Sequence, residues 1–138
     1  MSTFNSEISP RLNRALAILE QLESGAPERV LKNLNDFHKD AADLILGFSF
    51  ADIVARDGID LKTREMMTIA MLSAMGTAAG QLEFHMRAAM NCGVSREEII
   101  EIVLQVSVYA GVPAAMNAIT AAKKAFLHFS TSGDEHES

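Results

Sequence analysis

Cysteine is nearly absent from this chain of 138 residues, in which Cys92 stands alone. That excludes an intramolecular disulfide and a cysteine-rich metal centre. Basic residues are also few. Lysine and arginine number 12 against 18 acids, the net charge is −6, and no basic block occurs. The electrostatic footprint of a nucleic-acid binder is therefore missing. Long apolar runs are missing too. Leu44, Ile45 and Leu46 form a short patch, far below the roughly 20 residues of a membrane span. No basic start followed by an apolar run opens the sequence, so no secretory signal is expected. His38, His128 and His136 lack metal-ligand spacing such as His-Glu-x-x-His, and no metal is expected. These absences point to a soluble, cytoplasmic protein with neither nucleic acid nor membrane as partner.

What is present is apolar mass. Hydrophobic residues make up 49% of the chain, enough for one domain of this length with its own core. The expected organisation is a flexible start over residues 1–10, a helical domain over 11–129, and a disordered acidic tail over 130–138.

Ser9-Pro10 reads as an N-cap followed by proline at the first helical position. Leu12, Leu16, Leu19 and Leu22 then recur at helical spacing. Gly25 is expected to stop this helix and Pro27 to restart a short one. Asn35-Asp36 is read as a cap for the next segment, Gly47 as an interruption, and Ser49 as the cap of a further short helix ending at Asp57-Gly58. Asp60 then suits the start of a helix from Leu61 to Met75, closed by Gly76. Another helix runs from Gln81 to Cys92, closed by Gly93. Ser95 and Glu98 form a capping box for a helix from Arg96 to Ala110, closed by Gly111. Pro113 opens a last helix to about Phe129. No stretch sustains period-2 alternation with turn chemistry, so the fold class is all-α.

Ile99, Ile100, Ile102, Val103, Leu104, Val106 and Val108 cover nearly every side of one helix. Such a helix is buried all round. A domain this small has few helices to surround it, so a homo-oligomer is expected.

Chemistry concentrates between Arg64 and Ala122. Glu101, Gln105 and Tyr109 form a polar stripe at i, i+4 and i+8. A role lining a pocket and a role pairing with neighbouring helices both fit. His85 lies near an apolar face, where a histidine is more often satisfied in a core than catalytic. Glu65 could supply it with a carboxylate if two helices pack as a hairpin. It could equally be a first-turn charge favoured by the helix dipole, the simpler reading. Met67, Met71 and Met75 read as core filling or as a malleable pocket wall. Arg64 and Arg87 suit bidentate binding of a carboxylate, although arginines on helix surfaces are usually solvated. Cys92 has no resolving partner, and an inert thiol is the simpler reading.

The pieces TREMMTIAML, LEFHMRAAMNCGVSREEIIEIVLQVSVYAGVPAAMNA, LNDF and FADIVARDG resemble the carboxymuconolactone decarboxylase family, with its alkylhydroperoxidase-D-like helical fold. The upstream pieces look like the γ-carboxymuconolactone decarboxylase branch. The resemblance implies small all-helical subunits assembled in a ring, typically a hexamer built as a trimer of dimers, with no metal or organic cofactor. It implies cofactor-free decarboxylation of 4-carboxymuconolactone to 3-oxoadipate enol-lactone, in protocatechuate breakdown through the β-ketoadipate pathway. A sister branch uses Cys-x-x-Cys with a nearby histidine and an upstream glutamate. Glu65 and His85 match the latter two, but GTAAGQLEF holds no cysteine, so disulfide exchange by that route is chemically impossible.

Under the resemblance, His85 is the general acid, Glu65 orients it, and Tyr109 or Gln105 donates to the lactone carbonyl. Arg64 or Arg87 would hold the remaining carboxylate, with Glu101, Met67 and Met71 lining the pocket. The alternatives are a peroxidase working through Cys92, or a non-catalytic member of the family.

Overall fold

A computed structural model describes residues 8–133, and among them every regular element is helical. The chain divides after Leu61 into two compact units.

The first unit holds α1 (Pro10–Leu22), α2 (Ala26–Phe37), α3 (Ala41–Leu46) and a π-helix (Gly47–Val54). Ser9 caps α1 as the sequence suggests, its hydroxyl accepting from the Leu12 amide at 3.0 Å. That hydroxyl also donates to Asp43 at 2.7 Å. Leu12, Leu16, Leu19 and Leu22 are all buried, so the helical period marks the core face. Arg11, on the other side of α1, forks onto Asp52 of the π-helix, with its Nη2 at 2.7 Å. Its Nη1 also donates to the Asp43 carbonyl at 3.2 Å.

Two local expectations fail here, and a third holds in place but not in kind. Asn35 and Asp36 lie inside α2 rather than capping the next helix. An i,i+4 ion pair from Lys32 to Asp36 at 2.9 Å continues α2, which closes at His38. α3 does end at Gly47, but not by a break in the chain: the φ of Gly47 is −59°, helical, and the backbone runs on into the π-helix. A side chain at Gly47 would meet the Arg11 guanidinium at 2.6 Å, so the glycine permits close approach rather than a break. Ser49 is no cap either, because its hydroxyl donates back to the Ile45 carbonyl at 2.6 Å.

The second unit holds α4 (Leu61–Met75), α5 (Ala79–Asn91), α6 (Arg96–Tyr109) and α7 (Val112–Gly133). Local signals place these helices well. Gly76, Gly93 and Gly111 all have positive φ at the breaks, a backbone region that disfavours other residues. After α5 the Gly93 amide reaches Met90 O and the Val94 amide reaches Ala89 O, at 3.1 and 2.9 Å. That is a Schellman stop, with buried Val94 as its apolar seal. The capping box forms in full, with Glu98 Oε1 accepting from the Ser95 amide at 2.9 Å and Ser95 Oγ accepting from the Glu98 amide at 3.0 Å. The last helix runs to Gly133, past the expected end at Phe129. Residues 134–138 of the expected tail, and 1–7 of the expected flexible start, lie outside the described residues.

The core of this unit gathers Ile69, Leu82, Met86, Ile99 and Val103 against Ala115, Ala118, Ala122 and Ala125 of α7. Those alanines let α7 pack closely on both α5 and α6. The expectation that α6 is buried on all sides is not met within one chain. Ile99, Val103 and Val106 are buried, whereas Ile100, Leu104 and Val108 form an exposed row.

Candidate active site

The burial pattern of α4 comes first. Glu65, Ile69 and Ser73 are its buried residues, spaced i, i+4 and i+8 on one face. Glu65 is only 1% exposed. The reading of Glu65 as a first-turn charge favoured by the helix dipole therefore fails: it lies beyond the first turn of α4 and is buried. A buried carboxylate needs a partner, and it has one in His85 of α5. His85 Nδ1 lies 2.7 Å from Glu65 Oε1, across 20 residues of sequence. α4 and α5 are joined by the short Gly76–Ala78 connection, and the 2.7 Å contact brings them together at this point.

His85 is itself buried, with 10% of its side chain exposed. Phe84 packs edge-on to its ring, centroid to centroid 4.9 Å. With Nδ1 held by the carboxylate, Nε2 is the nitrogen left for proton chemistry. A carboxylate behind an imidazole fixes the ring's tautomer and orientation. What this arrangement can do is hold or release one proton at a defined atom.

The other expected site residues are placed elsewhere. Met67 and Met71 lie on the face of α4 opposite Glu65 and, with Met75, are exposed. Core filling is thus wrong for all three within the chain. Glu101, Gln105 and Tyr109 are exposed rather than buried, and Tyr109 reaches 85%. Gln105 and Tyr109 line a cavity of about 280 Å³ with Ala70 and Ala74 of α4. Glu101 and Gln105 line an adjoining one of about 320 Å³ with Met66. The stripe is therefore a groove along α4 and α6, separate from the buried pair. Arg87 is tied to Glu83 one turn back at 3.2 Å and lies over the Phe84 ring. Arg64 is half-buried and also engaged with a neighbour. Cys92 is partly buried. Burial, and then the negative charge of Glu65, push its thiol above the usual range, the reverse of what activates a cysteine.

Among the described residues no group of three or more His, Cys, Asp or Glu side chains is placed to hold a metal. No helix there is long and apolar enough to cross a membrane. Ser73 is the buried polar residue that sequence reasoning missed. Its spacing from Glu65 and Ile69 was the available signal.

An all-helical unit with a buried carboxylate–imidazole pair defines the class: a small helical scaffold equipped for acid–base chemistry. Comparison with known proteins narrows it. The model of the carboxymuconolactone decarboxylase family matches residues 39–124. The 4-carboxymuconolactone decarboxylase of Acinetobacter baylyi is 40% identical over 98 residues, covering 71% of this chain and 72% of that protein. The nitrosuccinic acid decarboxylase npaB of Metarhizium robertsii is 33% identical over 98 residues, covering 70% and 67%. An uncharacterized 15.0 kDa protein of Paracoccus denitrificans is 33% identical over 78 residues, covering 56% and 58%. The chain belongs to the carboxymuconolactone decarboxylase family.

Proposed function

We propose that this protein is a carboxy-lyase of the 4-carboxymuconolactone decarboxylase type. It acts in the cytoplasm, in protocatechuate breakdown through the β-ketoadipate pathway, without a metal or organic cofactor. The observation that carries this reading is the buried Glu65–His85 pair at 2.7 Å, on a chain whose relatives include two decarboxylases by name.

A carboxymuconolactone and a nitrosuccinic acid present the same problem. Loss of carbon dioxide breaks a carbon–carbon bond and leaves an electron pair. In the lactone that pair passes through the ring double bond onto the carbonyl oxygen; in the nitro acid it passes onto the nitro group. Two tasks remain for the protein: stabilise the oxyanion, then deliver one proton to carbon. His85 Nε2 delivers the proton and Glu65 holds the ring to that task. Each preorganised donor to the oxyanion contributes about 3 kcal/mol to the barrier reduction. Gln105 and Tyr109 are assigned that role, and Arg64 or Arg87 the surviving carboxylate.

The donors lie in the exposed groove, away from the pair, so the working site needs a further surface. A homo-oligomer, a hexameric ring in our reading, supplies it: the groove and the exposed row on α6 belong to the face that a second copy covers. Met67 and Met71, turned away from Glu65, then form apolar wall at that face, where low polarity favours release of neutral carbon dioxide.

The direct test is to incubate the purified protein with 4-carboxymuconolactone and follow carbon dioxide release, with nitrosuccinic acid in parallel. Release from the lactone, slower or absent with the nitro acid, is expected. A folded, oligomeric protein inert towards the lactone would overturn the assignment.

A further inference from the structure

A further cavity lies in the same unit and does not include the catalytic pair. It has a volume of about 400 Å³ and sits where the end of α4, the start of α5 and the middle of α7 meet. That is ample for a small organic ligand. We propose that it binds an organic carboxylate, with the charged head on the first turn of α5 and an apolar body against the wall.

Four observations converge on that chemistry. First, Ser73, a residue of the cavity wall, is 1% exposed, and its buried hydroxyl has no hydrogen-bond partner. A serine inside a helix commonly donates back to the preceding turn. Thr68 of the same helix does so, to the Arg64 carbonyl at 2.9 Å; Ser73 does not. An unmet buried hydroxyl is the mark of a missing partner. Second, α5 begins at the cavity without a side-chain cap, because Ala78 occupies the cap position. Its first amides, at Ala79 and Gly80, carry unsatisfied donors and the positive end of the helix dipole. Third, Asn117 and Lys124 of α7 lie two turns apart and line the same cavity. Lys124 has no ion-pair partner among the described residues. Glu83, the acid at the rim, is already bound to Arg87. Fourth, Leu72 and Leu82 supply an apolar wall, which a bare inorganic anion would leave unused.

The site is distinct from the proton-transfer pair. Ser73 is eight residues beyond Glu65, about 12 Å along α4. Neither Glu65 nor His85 lines the cavity.

Benzoate is a suitable probe, with benzamide as its uncharged counterpart and inorganic phosphate as an anion without an apolar body. In an amide NMR titration of the full chain, benzoate should shift Ala79 and Gly80 saturably. Benzamide should not, and phosphate should bind more weakly. Lys124→Met should weaken benzoate about tenfold or more. Ser73→Ala should also weaken it, without lowering the melting temperature, since it removes an unpartnered hydroxyl. His85→Asn should leave benzoate affinity unchanged, which separates this proposal from the decarboxylase reading. Absence of saturable shifts, equal binding of benzamide or phosphate, wild-type affinity in Lys124→Met, or loss of binding in His85→Asn would each overturn it.

Discussion

The consequence of the buried pair is sharpest at the residue scale. Resemblance nominates Glu65 and His85, whereas physical reasoning on the sequence prefers Glu65 as a first-turn charge favoured by the helix dipole. Burial to 1% reverses that preference and also changes how the pair should be probed. His85→Ala would strand an unpaired buried carboxylate, which costs about 3–5 kcal/mol, so lost activity would be confounded with lost stability. His85→Asn is cleaner. Its amide can donate to Glu65 in place of Nδ1, while nothing titratable stands at the Nε2 position. The expected outcome is a melting temperature close to that of the parent and a fall in kcat of about a hundredfold or more. Steady-state kinetics beside a thermal melt check this, and near-normal turnover would remove His85 as the acid. Cys92 belongs to the same scale. Its thiol is disfavoured as a thiolate by burial and by Glu65, which weighs against the peroxidase alternative.

At the scale of elements, caps and stops were readable wherever their partners lie within a few residues. The Ser95–Glu98 box is the clearest case. Glu98 is held below the usual carboxylate range first by the Ser95 amide, as a reciprocal cap requires. Ser95→Ala should therefore destabilise the second unit by about 1 kcal/mol, seen as a lower denaturant midpoint at unchanged slope. The misreadings at Asn35-Asp36 and Ser49, and of Gly47 as a break rather than a change of helix type, have a common cause. Each residue type favours caps or turns in isolation, but continued helical hydrogen bonding and the Arg11 contact decide otherwise. The Arg11–Asp52 link gives a prediction with a definite sign. Asp52 lies below its ordinary value of 3.8, first through the hydrogen bond from Arg11 and then through its charge. A depressed folded-state value adds stability above the unfolded value, and that gain is lost as pH falls through the folded one. The melting-temperature difference between the parent and Asp52→Asn should thus be largest above pH 3.8 and vanish in stronger acid. The pair is solvent-exposed, so the difference should be small and salt-sensitive.

At the scale of the whole molecule, the unmet expectation about α6 is informative. A single chain buries Ile99, Val103 and Val106 but leaves Leu104 at 54% and Val108 at 71% exposure. An apolar row of that kind, in a unit that also exposes Met67, Met71 and Met75 of α4, is more than scattered surface hydrophobicity. Sedimentation velocity should find a species larger than a monomer. Leu104→Glu should shift it towards smaller species while helicity by circular dichroism stays unchanged. A parent protein that remains monomeric at all concentrations would sink the ring and, with it, the shared site.

The sequence by itself determined the helical class, most helix ends of the second unit and the family. Those signals are local: an N-cap three residues from its partner, a glycine at a positive φ, an apolar period along one face. Only the tertiary structure decided that Glu65 is buried, that His85 closes on it at 2.7 Å, that the methionines and Tyr109 face outward, and that Ser73 lacks a partner. Periodicity says which residues share a face. Which face is covered, and by what, depends on how helices twenty or more residues apart pack.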